Sequence, residues 1–216
     1  LVGEKISIVS NKPQTTRNRI SAVLNTKDTQ YVFIDTPGFH KPRTKLGDYM
    51  VNVTRTSITD VELTILVVEP IASVGQQEQM LIEQLQSKKC PIILAINKID
   101  TIEKDKLLDV IAAYSETASF ASIIPISAKT GDGVDILLSE LRKFTVPSVH
   151  FFDDDTLTDQ PERVLAAEII REKLLMLLDK EIPHGLAVDI ERFSERDDTD
   201  ILDIEAAIYC ERESHK

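Results

Sequence analysis

The stretch CPIILAINKID, residues 90–100, decides the fold, because a nearly unbroken apolar run ends abruptly in four largely polar residues. Continuous apolar runs of this length are typical of strands that are buried on both faces of a parallel sheet. In open α/β sheets, ligands bind at the edge where the carboxyl ends of such strands lie. Residues 97–100 are therefore candidates for a binding site at that edge.

Three further apolar runs, at residues 31–35, 62–68 and 121–127, also predict strands. The intervening residues 76–87, 103–119 and 134–144 space Leu, Ile and Met three or four apart, which predicts amphipathic helices. Strands that alternate with crossover helices are typical of an α/β domain. The sequence thus predicts a mostly parallel sheet with flanking helices.

The second part of the chain differs from the first in charge. Residues 151–216 contain 19 Asp or Glu and 8 Lys or Arg, so they carry the whole net charge of −11. This asymmetry predicts a domain boundary near residue 150. An acidic balance argues against a broad nucleic-acid surface within residues 151–216, since phosphate binding needs clustered Lys and Arg. Any RNA contact is expected to be local or to lie elsewhere.

After residue 150 the pattern predicts a polar connection, a helix over 162–179 and two strands at 186–193 and 201–213. We expect the basic side chains of this helix region to lie on its outer side, where they are candidates for RNA contact: Arg171, Lys173 and Lys180.

Several classes of protein are excluded by composition. No apolar run approaches the roughly 20 residues that a membrane-spanning helix needs, and no secretory signal is recognisable. Cys90 and Cys210 are far apart and have no CxxC spacing, which argues against a disulfide framework and against a zinc site. We expect reduced thiols and a cytoplasmic protein.

The tetrapeptide Asn97-Lys98-Ile99-Asp100 carries the most restrictive chemistry. A carboxylate can accept hydrogen bonds from both N1–H and N2–H₂ of guanine, and adenine offers no such pair of donors. The Lys98 stem can cover the base while Asn97 braces neighbouring loops. The alternative interpretation is an ordinary solvated loop after a strand.

Ser127-Ala128-Lys129 ends the next predicted strand, one βα unit later. The backbone N–H of Ala128 could donate to guanine O6. Three residues alone are uninformative, but their position at the same predicted sheet edge supports a shared site.

Asp35-Thr36-Pro37-Gly38 follows the strand at 31–35. A carboxylate at a strand end can orient a water on Mg²⁺, and glycine lets a backbone N–H approach a γ-phosphate. The same four residues also suit a β-turn, so by themselves they do not discriminate.

Taken together, these boxes resemble the translation-factor-like GTPases and, more closely, the Era family of bacterial GTPases. The stretch QTTR (14–17) resembles the first switch region of that family, DTPGFH (35–40) resembles the second, and residues 151–173 resemble its linker and first KH helix. The resemblance implies a P-loop NTPase-type, Ras-like fold followed by the start of an α+β KH-type domain. It divides the chain into a GTP-binding domain at 1–148, a linker at 149–160 and the first part of a KH-like domain at 161–216.

The resemblance also implies site residues. Thr16 and Asp35 are expected to bind Mg²⁺, with Thr15 as the rival of Thr16, and the catalytic set is Thr16, Asp35 and Gly38. The residues expected to bind GTP or GDP are Asp35, Thr36, Pro37, Gly38, Phe39, Asn97, Lys98, Asp100, Ser127, Ala128 and Lys129.

Phe39 occupies the place where Ras-like enzymes have a glutamine that positions water, and a phenyl ring cannot do this by hydrogen bonding. Similarity to other GTPases suggests a monovalent cation such as K⁺, or groups of the substrate, in its place. Simple packing of Phe39 within the switch is equally compatible.

By resemblance, the function is that of a GTP-hydrolysing switch that binds 16S rRNA during assembly of the 30S ribosomal subunit, with peripheral association at the cytoplasmic face of the inner membrane. The alternatives are a related GTPase in tRNA modification or large-subunit assembly, and a non-catalytic scaffold.

Two motifs of the family are absent from these 216 residues: the phosphate loop Gly-x-x-x-x-Gly-Lys-Ser/Thr and the Gly-x-x-Gly loop of KH domains. By resemblance they belong just before Leu1 and after the last strand. We therefore expect a protein limited to these residues to bind guanine weakly and to show no measurable GTPase activity.

Overall fold

The computed structural model describes residues 1–10, 12, 15–39, 45–57, 61–88, 90–178, 185–197, 199 and 201–210. Gln14, His40, Lys180 and the end of the predicted strand at 201–213 lie outside these residues. The described helices and strands are, in chain order, β1 (Ile20–Asn25), β2 (Gln30–Asp35), α1 (Lys45–Ser57), β3 (Thr64–Val68), α2 (Gln76–Gln86), β4 (Ile92–Ile96), α3 (Lys104–Thr117), β5 (Ser122–Pro125), α4 (Val134–Leu141), α5 (Glu162–Leu177), β6 (Leu186–Glu195) and β7 (Leu202–Cys210).

The chain forms two compact units, one of Phe39–His150 with Leu1 and the other of Val2–Gly38 with Phe151–Lys216. This partition groups residues by packing. The assignment of 1–148, 149–160 and 161–216 to functional domains stays a prediction.

The first unit contains a parallel sheet in the order β3-β4-β5, with Leu66 opposite Leu94 and Ala95 opposite Ile124. Every residue of β4 is buried, as its continuous apolar run predicts. Side chains of α2 and α3 join the same core, among them Ile82, Val110 and Tyr114. Burial of β4 and its pairing with β5 fix the ends of both strands. The loops that carry residues 97–100 and 127–129 begin at these ends.

Helix α1 was not predicted, and its composition explains why. Its buried positions are Gly47, Met50, Val51, Thr54 and Ser57, most of which are small or polar. The Thr54 hydroxyl donates to the carbonyl of Met50 at 3.0 Å, which satisfies its buried oxygen. The helix therefore offers few buried Leu, Ile or Met to identify its packed face.

The second unit contains two antiparallel hairpins, β1-β2 and β6-β7. The run at 31–35 was expected among parallel strands, and this expectation was wrong, because β2 pairs antiparallel with the unpredicted β1, Val23 lying opposite Val32. Residues after 150 run beside this hairpin. The N–H of Val23 donates to the carbonyl of Leu157 at 2.8 Å, and the amide of Gln30 bonds the backbone of Phe152.

Helix α5 packs against β6, and Leu175, Leu186 and Ile190 are buried in this unit. Arg171, which was expected on the outer side of the helix, is only 3% exposed, so that prediction was wrong. Lys173 is exposed, as expected. Among the described residues, no helix combines the length and the apolar character needed to cross a bilayer.

Candidate nucleotide-binding site

Asn97 connects three segments at the carboxyl edge of the parallel sheet. Its backbone N–H donates to the carbonyl of Val68 at 2.9 Å, beside the end of β3. Its side-chain oxygen accepts from the backbone N–H of Lys98 at 2.8 Å and from that of Ala128 at 2.9 Å. One amide therefore joins the loop after β4 to the loop after β5, as the sequence analysis expected of a bracing residue.

Asp100 lies in a short 3₁₀ turn after β4 and is exposed. The Ser127 hydroxyl donates to Asp100 Oδ1 at 2.7 Å, and Ser127 itself is fully buried. Ser127 Oγ also accepts from the backbone N–H of Thr130 at 3.2 Å. A buried hydroxyl thus fixes the orientation of an accessible carboxylate, which is the arrangement that two-pronged recognition of a base edge needs.

Lys98 has φ of 65°, and it is the one non-glycine residue with positive φ among the described residues. The left-handed conformation costs a residue with a Cβ roughly 1–2 kcal/mol. The carbonyl of Lys98 accepts from both the hydroxyl and the N–H of Thr101, at 2.7 and 3.0 Å. Strained backbone of this kind is concentrated at binding sites. Here the strain lies at Lys98, in the loop after β4.

Glu69 is a site residue that the sequence analysis missed. It directly follows β3, is exposed, and forms an ion pair with Lys98 Nζ. The signal that could have found it is its position, because it follows β3 as Asn97 follows β4. Exposed pairs stabilise little, so we interpret Glu69 as a partner that orients Lys98.

The loop after β5 depends on a glycine. Gly133 has φ of 73°, and a Cβ placed on it would lie 2.3 Å from the carbonyl oxygen of Pro125. The chain therefore turns back onto the end of β5, where Ser127 N–H donates to the carbonyl of Asp132 at 2.9 Å. This turn leaves Ala128 and Lys129 exposed at the sheet edge.

Asp35 ends β2 in the second unit, together with the residues expected to contact phosphate and metal. The Thr16 hydroxyl donates to Asp35 Oδ2 at 3.4 Å. Burial raises the pKa of the Asp35 carboxyl, and hydrogen bonds from the Ser7 and Thr16 hydroxyls oppose the rise. A partly desolvated carboxylate with a nearby hydroxyl is a hard oxygen pair of the kind that Mg²⁺ binds.

The two threonines differ in their contacts. The Thr15 hydroxyl lies 2.6 Å from Ser10 Oγ and donates to the carbonyl of Lys12 at 2.7 Å, so it is occupied within its own turn. Of the pair, Thr16 faces Asp35. This geometry favours Thr16 over Thr15 as the residue beside the metal.

The residues after Asp35 are placed differently from one another. Pro37 is buried, whereas Gly38 is exposed and has open space where a Cβ would lie. Phe39 is half-buried and belongs to the first unit, with the loops predicted to contact the base. Thr16, Asp35, Thr36, Pro37 and Gly38 belong to the second unit. Their action together with residues 97–100 and 127–129 stays a prediction.

Metal binding by protein side chains alone finds no support in the described residues, which contain no group of three or more His, Cys, Asp or Glu that could hold an ion. Mg²⁺ commonly uses one or two protein ligands and completes its shell with waters and substrate phosphates. Asp35 and Thr16 fit this sparse type of site.

Comparison with known proteins agrees with this geometry. A family model, the GTP-binding domain of elongation factor Tu, matches residues 5–183. GTPase Era of Ruminiclostridium cellulolyticum is 50% identical over 216 residues, which is 100% of this chain and 72% of the relative.

Two solved structures are also similar. Era in complex with MgGDPNP and nucleotides 1506–1542 of 16S ribosomal RNA matches with a TM-score of 0.94 and 32% identity, over 99% of this chain and 73% of that one. Era of Aquifex aeolicus bound to GDP and AlF₄⁻, a variant protein, gives the same values.

The fold and the site define a GTP-binding protein of the elongation factor Tu class, with the Ras-like α/β architecture that the sequence predicted. The antiparallel β6-β7 pair after α5 is consistent with the start of a KH-type domain. Within that class, the chain belongs to the Era family of GTPases.

Proposed function

We propose that this protein is a Mg²⁺-dependent GTPase that switches between GTP- and GDP-bound states and binds 16S rRNA during assembly of the small ribosomal subunit. The observation that carries the nucleotide part is the bonded set formed by Asn97, Asp100, Ser127 and Ala128. Membership of the Era family supports the remainder.

Guanine is selected by Asp100. The Ser127 hydroxyl donates to its Oδ1 at 2.7 Å, so the carboxylate is already oriented before it accepts from guanine N1–H and N2–H₂. Ala128 is exposed on the neighbouring loop, beside the O6 side of the base. Its backbone N–H donates to Asn97 Oδ1 at 2.9 Å, so a contact with O6 requires this N–H to be shared or released. The stem of Lys98 covers the base, while its ammonium is placed by Glu69.

Asp35 and Thr16 hold the metal side of the nucleotide, and Gly38 offers its N–H to the γ-phosphate. The ion that these two residues would hold would supply positive charge beside the phosphates. Thr36, Pro37 and Lys129 shape the approach to the nucleotide. Phe39 cannot orient water by hydrogen bonding, so participation of K⁺ in hydrolysis stays a prediction from the resemblance.

The RNA partner is inferred from the family. A solved Era structure contains nucleotides 1506–1542 of 16S ribosomal RNA, and we infer that this protein binds the same 3′ region through the KH-type domain whose first part is predicted at 161–216. Cytoplasmic location follows from a ribosomal partner. Peripheral membrane association stays a prediction.

Base selectivity tests the proposal directly. In the protein expressed from its complete gene, Asp100→Asn should lower GDP affinity by about 100-fold or more and raise xanthosine diphosphate affinity, because the amide complements the additional carbonyl of xanthine. Affinities would be measured by calorimetry. The matched control is Asp105→Asn, which changes an exposed aspartate at the start of α3.

Two results would contradict the proposal. Equal binding of GDP and ADP by the wild-type protein would remove the assignment of the guanine site. Normal guanine binding without affinity for the 3′ RNA fragment would instead favour a related GTPase that acts on tRNA or on the large subunit.

A further inference from the structure

Helix α5 buries two adjacent charged side chains. Arg171 is 3% exposed and Glu172 is fully buried, although the same helix leaves apolar Ile169, Met176 and Leu177 exposed. Charged groups are rarely buried unless partners compensate for lost hydration. The identity of those partners therefore shows what holds this helix in place.

Glu172 is bonded to residues near the start of the chain. Its carboxylate pairs with Lys5 Nζ, and Oε1 accepts from the backbone N–H of Val9 at 2.9 Å. The Lys5 contact, followed by the Val9 hydrogen bond, lowers the pKa of the Glu172 carboxyl. Lys173 Nζ also lies 3.9 Å from the Glu172 carboxylate, but the two closer partners belong to residues 5–9.

Arg171 is bonded to the neighbouring part of the same segment. Its Nη2 donates to the carbonyl of Thr15 at 2.6 Å, and its guanidinium also pairs with Glu168 on the same helix. Arg17 donates from Nη1 to the carbonyl of Leu186, the first residue of β6, at 2.6 Å. Both α5 and β6 are therefore tied to residues 15–17.

The peptide between Thr15 and Thr16 is held on both sides. The carbonyl of Thr15 is bonded to Arg171, and the hydroxyl of the next residue, Thr16, is bonded to Asp35. A backbone shift of Thr16 relative to Asp35 would move the Thr15 carbonyl, because that carbonyl belongs to the peptide unit that joins the two residues. Such a shift would either carry α5 with it or leave a buried guanidinium poorly paired, which is costly.

We propose that Arg171 and Glu172 couple the nucleotide state to RNA affinity by fastening α5 to residues 5–9 and to Thr15. This inference rests on the proposed function and names the residues that transmit its regulation. Because coupling between sites is reciprocal, bound RNA must shift the preference between GDP and a GTP analogue by the same factor.

The test measures the ratio of RNA affinities in the two nucleotide states. The protein expressed from its complete gene would be saturated with GDP or GDPNP and titrated with an RNA of nucleotides 1506–1542. The wild-type ratio is expected to lie between about 5 and 150. Glu172→Gln removes the charge at nearly constant volume and should bring the ratio to within about twofold of one.

The matched control is Glu162→Gln, which removes an exposed carboxylate from the first turn of the same helix and should keep the wild-type ratio. Lys5→Gln offers a second variant if Glu172→Gln does not fold, since the Lys5 side chain is 53% exposed. It should lower the ratio in the same direction. Hydrogen exchange of the Val9 amide should also differ between the GDP and GDPNP states of the wild-type protein.

The possible failures are distinguishable. Folded Glu172→Gln or Lys5→Gln protein with an unchanged ratio would overturn the coupling, as would a wild-type ratio of one with both ligands bound. Wild-type protein that binds neither GDP nor GDPNP would overturn the proposed function, and the coupling with it.

Discussion

The side-chain oxygen of Asn97 lies 2.9 Å from the backbone nitrogen of Ala128 and accepts its hydrogen bond. These residues are 31 positions apart and follow neighbouring parallel strands, β4 and β5. The contact holds two of the predicted base-binding loops at a fixed separation before any ligand arrives. Preorganisation of this kind increases affinity because less ordering remains to be done on binding.

Replacing Asn97 by alanine should therefore destabilise the fold and also weaken GDP binding. Two intramolecular hydrogen bonds are lost, each worth about 0.5–1.5 kcal/mol, so the free energy of unfolding should fall by about 1–3 kcal/mol. GDP affinity should fall as well, because the two loops must then be ordered on binding. Calorimetric titration would measure the change. The control, Asn52→Ala, alters an exposed side chain on α1 and should leave affinity unchanged. An Asn97→Ala protein with wild-type GDP affinity would show that the hydrogen bonds of the Asn97 side chain do not contribute to nucleotide binding.

Ser127→Ala should reduce both GDP affinity and stability. The substitution frees Asp100 Oδ1 and removes the acceptor of the Thr130 N–H at a fully buried position, which costs about 1–3 kcal/mol. Urea unfolding and nucleotide titration would measure the two effects. Ser139→Ala, on the exposed side of α4, serves for comparison and should change neither quantity by more than about 0.5 kcal/mol.

Gly133→Ala should destabilise the protein by at least about 2 kcal/mol. The alanine would have to adopt positive φ, which is unfavourable for a residue with a Cβ. Its Cβ would also lie 2.3 Å from the carbonyl oxygen of Pro125, and only backbone movement can relieve that clash. Gly75→Ala is the matched control, because its φ is −68° and the nearest atom, at 3.4 Å, is the end of the Glu78 side chain. Equal urea midpoints for the two variants would contradict this view of the turn.

Stability should fall in acid partly through Glu172. Since the Lys5 ammonium and the Val9 N–H lower its pKa, the folded protein binds this proton less readily than the unfolded chain. The stabilisation is therefore present above the ordinary pKa of 4.5 and is lost as pH falls through the lowered value.

Denaturant unfolding at a series of pH values between about 3 and 6 would measure this loss. Glu172→Gln should reduce the fall in unfolding free energy below pH 4.5, whereas Glu162→Gln should retain the pH dependence of the wild-type protein. Parallel curves for the wild type and Glu172→Gln would assign the acid sensitivity to other carboxylates.

The parallel sheet was predictable because each strand of the first unit has a local signal. β4 is a buried apolar run that ends at Asn97, and α2 and α3 carry spaced Leu and Ile. The family could be named for a similar reason: residues 97–100 and 127–129 are contiguous motifs, and their chemistry is readable without coordinates.

The pairing of β2 and the existence of α1 were not predictable in the same way. The run at 31–35 contains only four consecutive apolar residues, too few to distinguish a strand of a parallel sheet from one that pairs in an antiparallel hairpin. In α1, three of the buried positions are Gly47, Thr54 and Ser57, so few large apolar residues identify the face that packs. Arg171 was misplaced because charge predicts exposure unless the compensating partners are known, and its partner Thr15 is 156 residues away.

The sequence by itself determined the α/β class and the family, and it predicted which residues recognise guanine, because these depend on strand-forming runs and on short motifs. Only the tertiary structure decided that Ser127 orients Asp100 and that Glu69 forms an ion pair with Lys98. It also decided that α5 is bonded to residues 5–9 and to Thr15. The physical reason is distance along the chain. Hydrogen bonds and ion pairs between remote residues depend on how elements pack, and local sequence preferences carry no record of that packing.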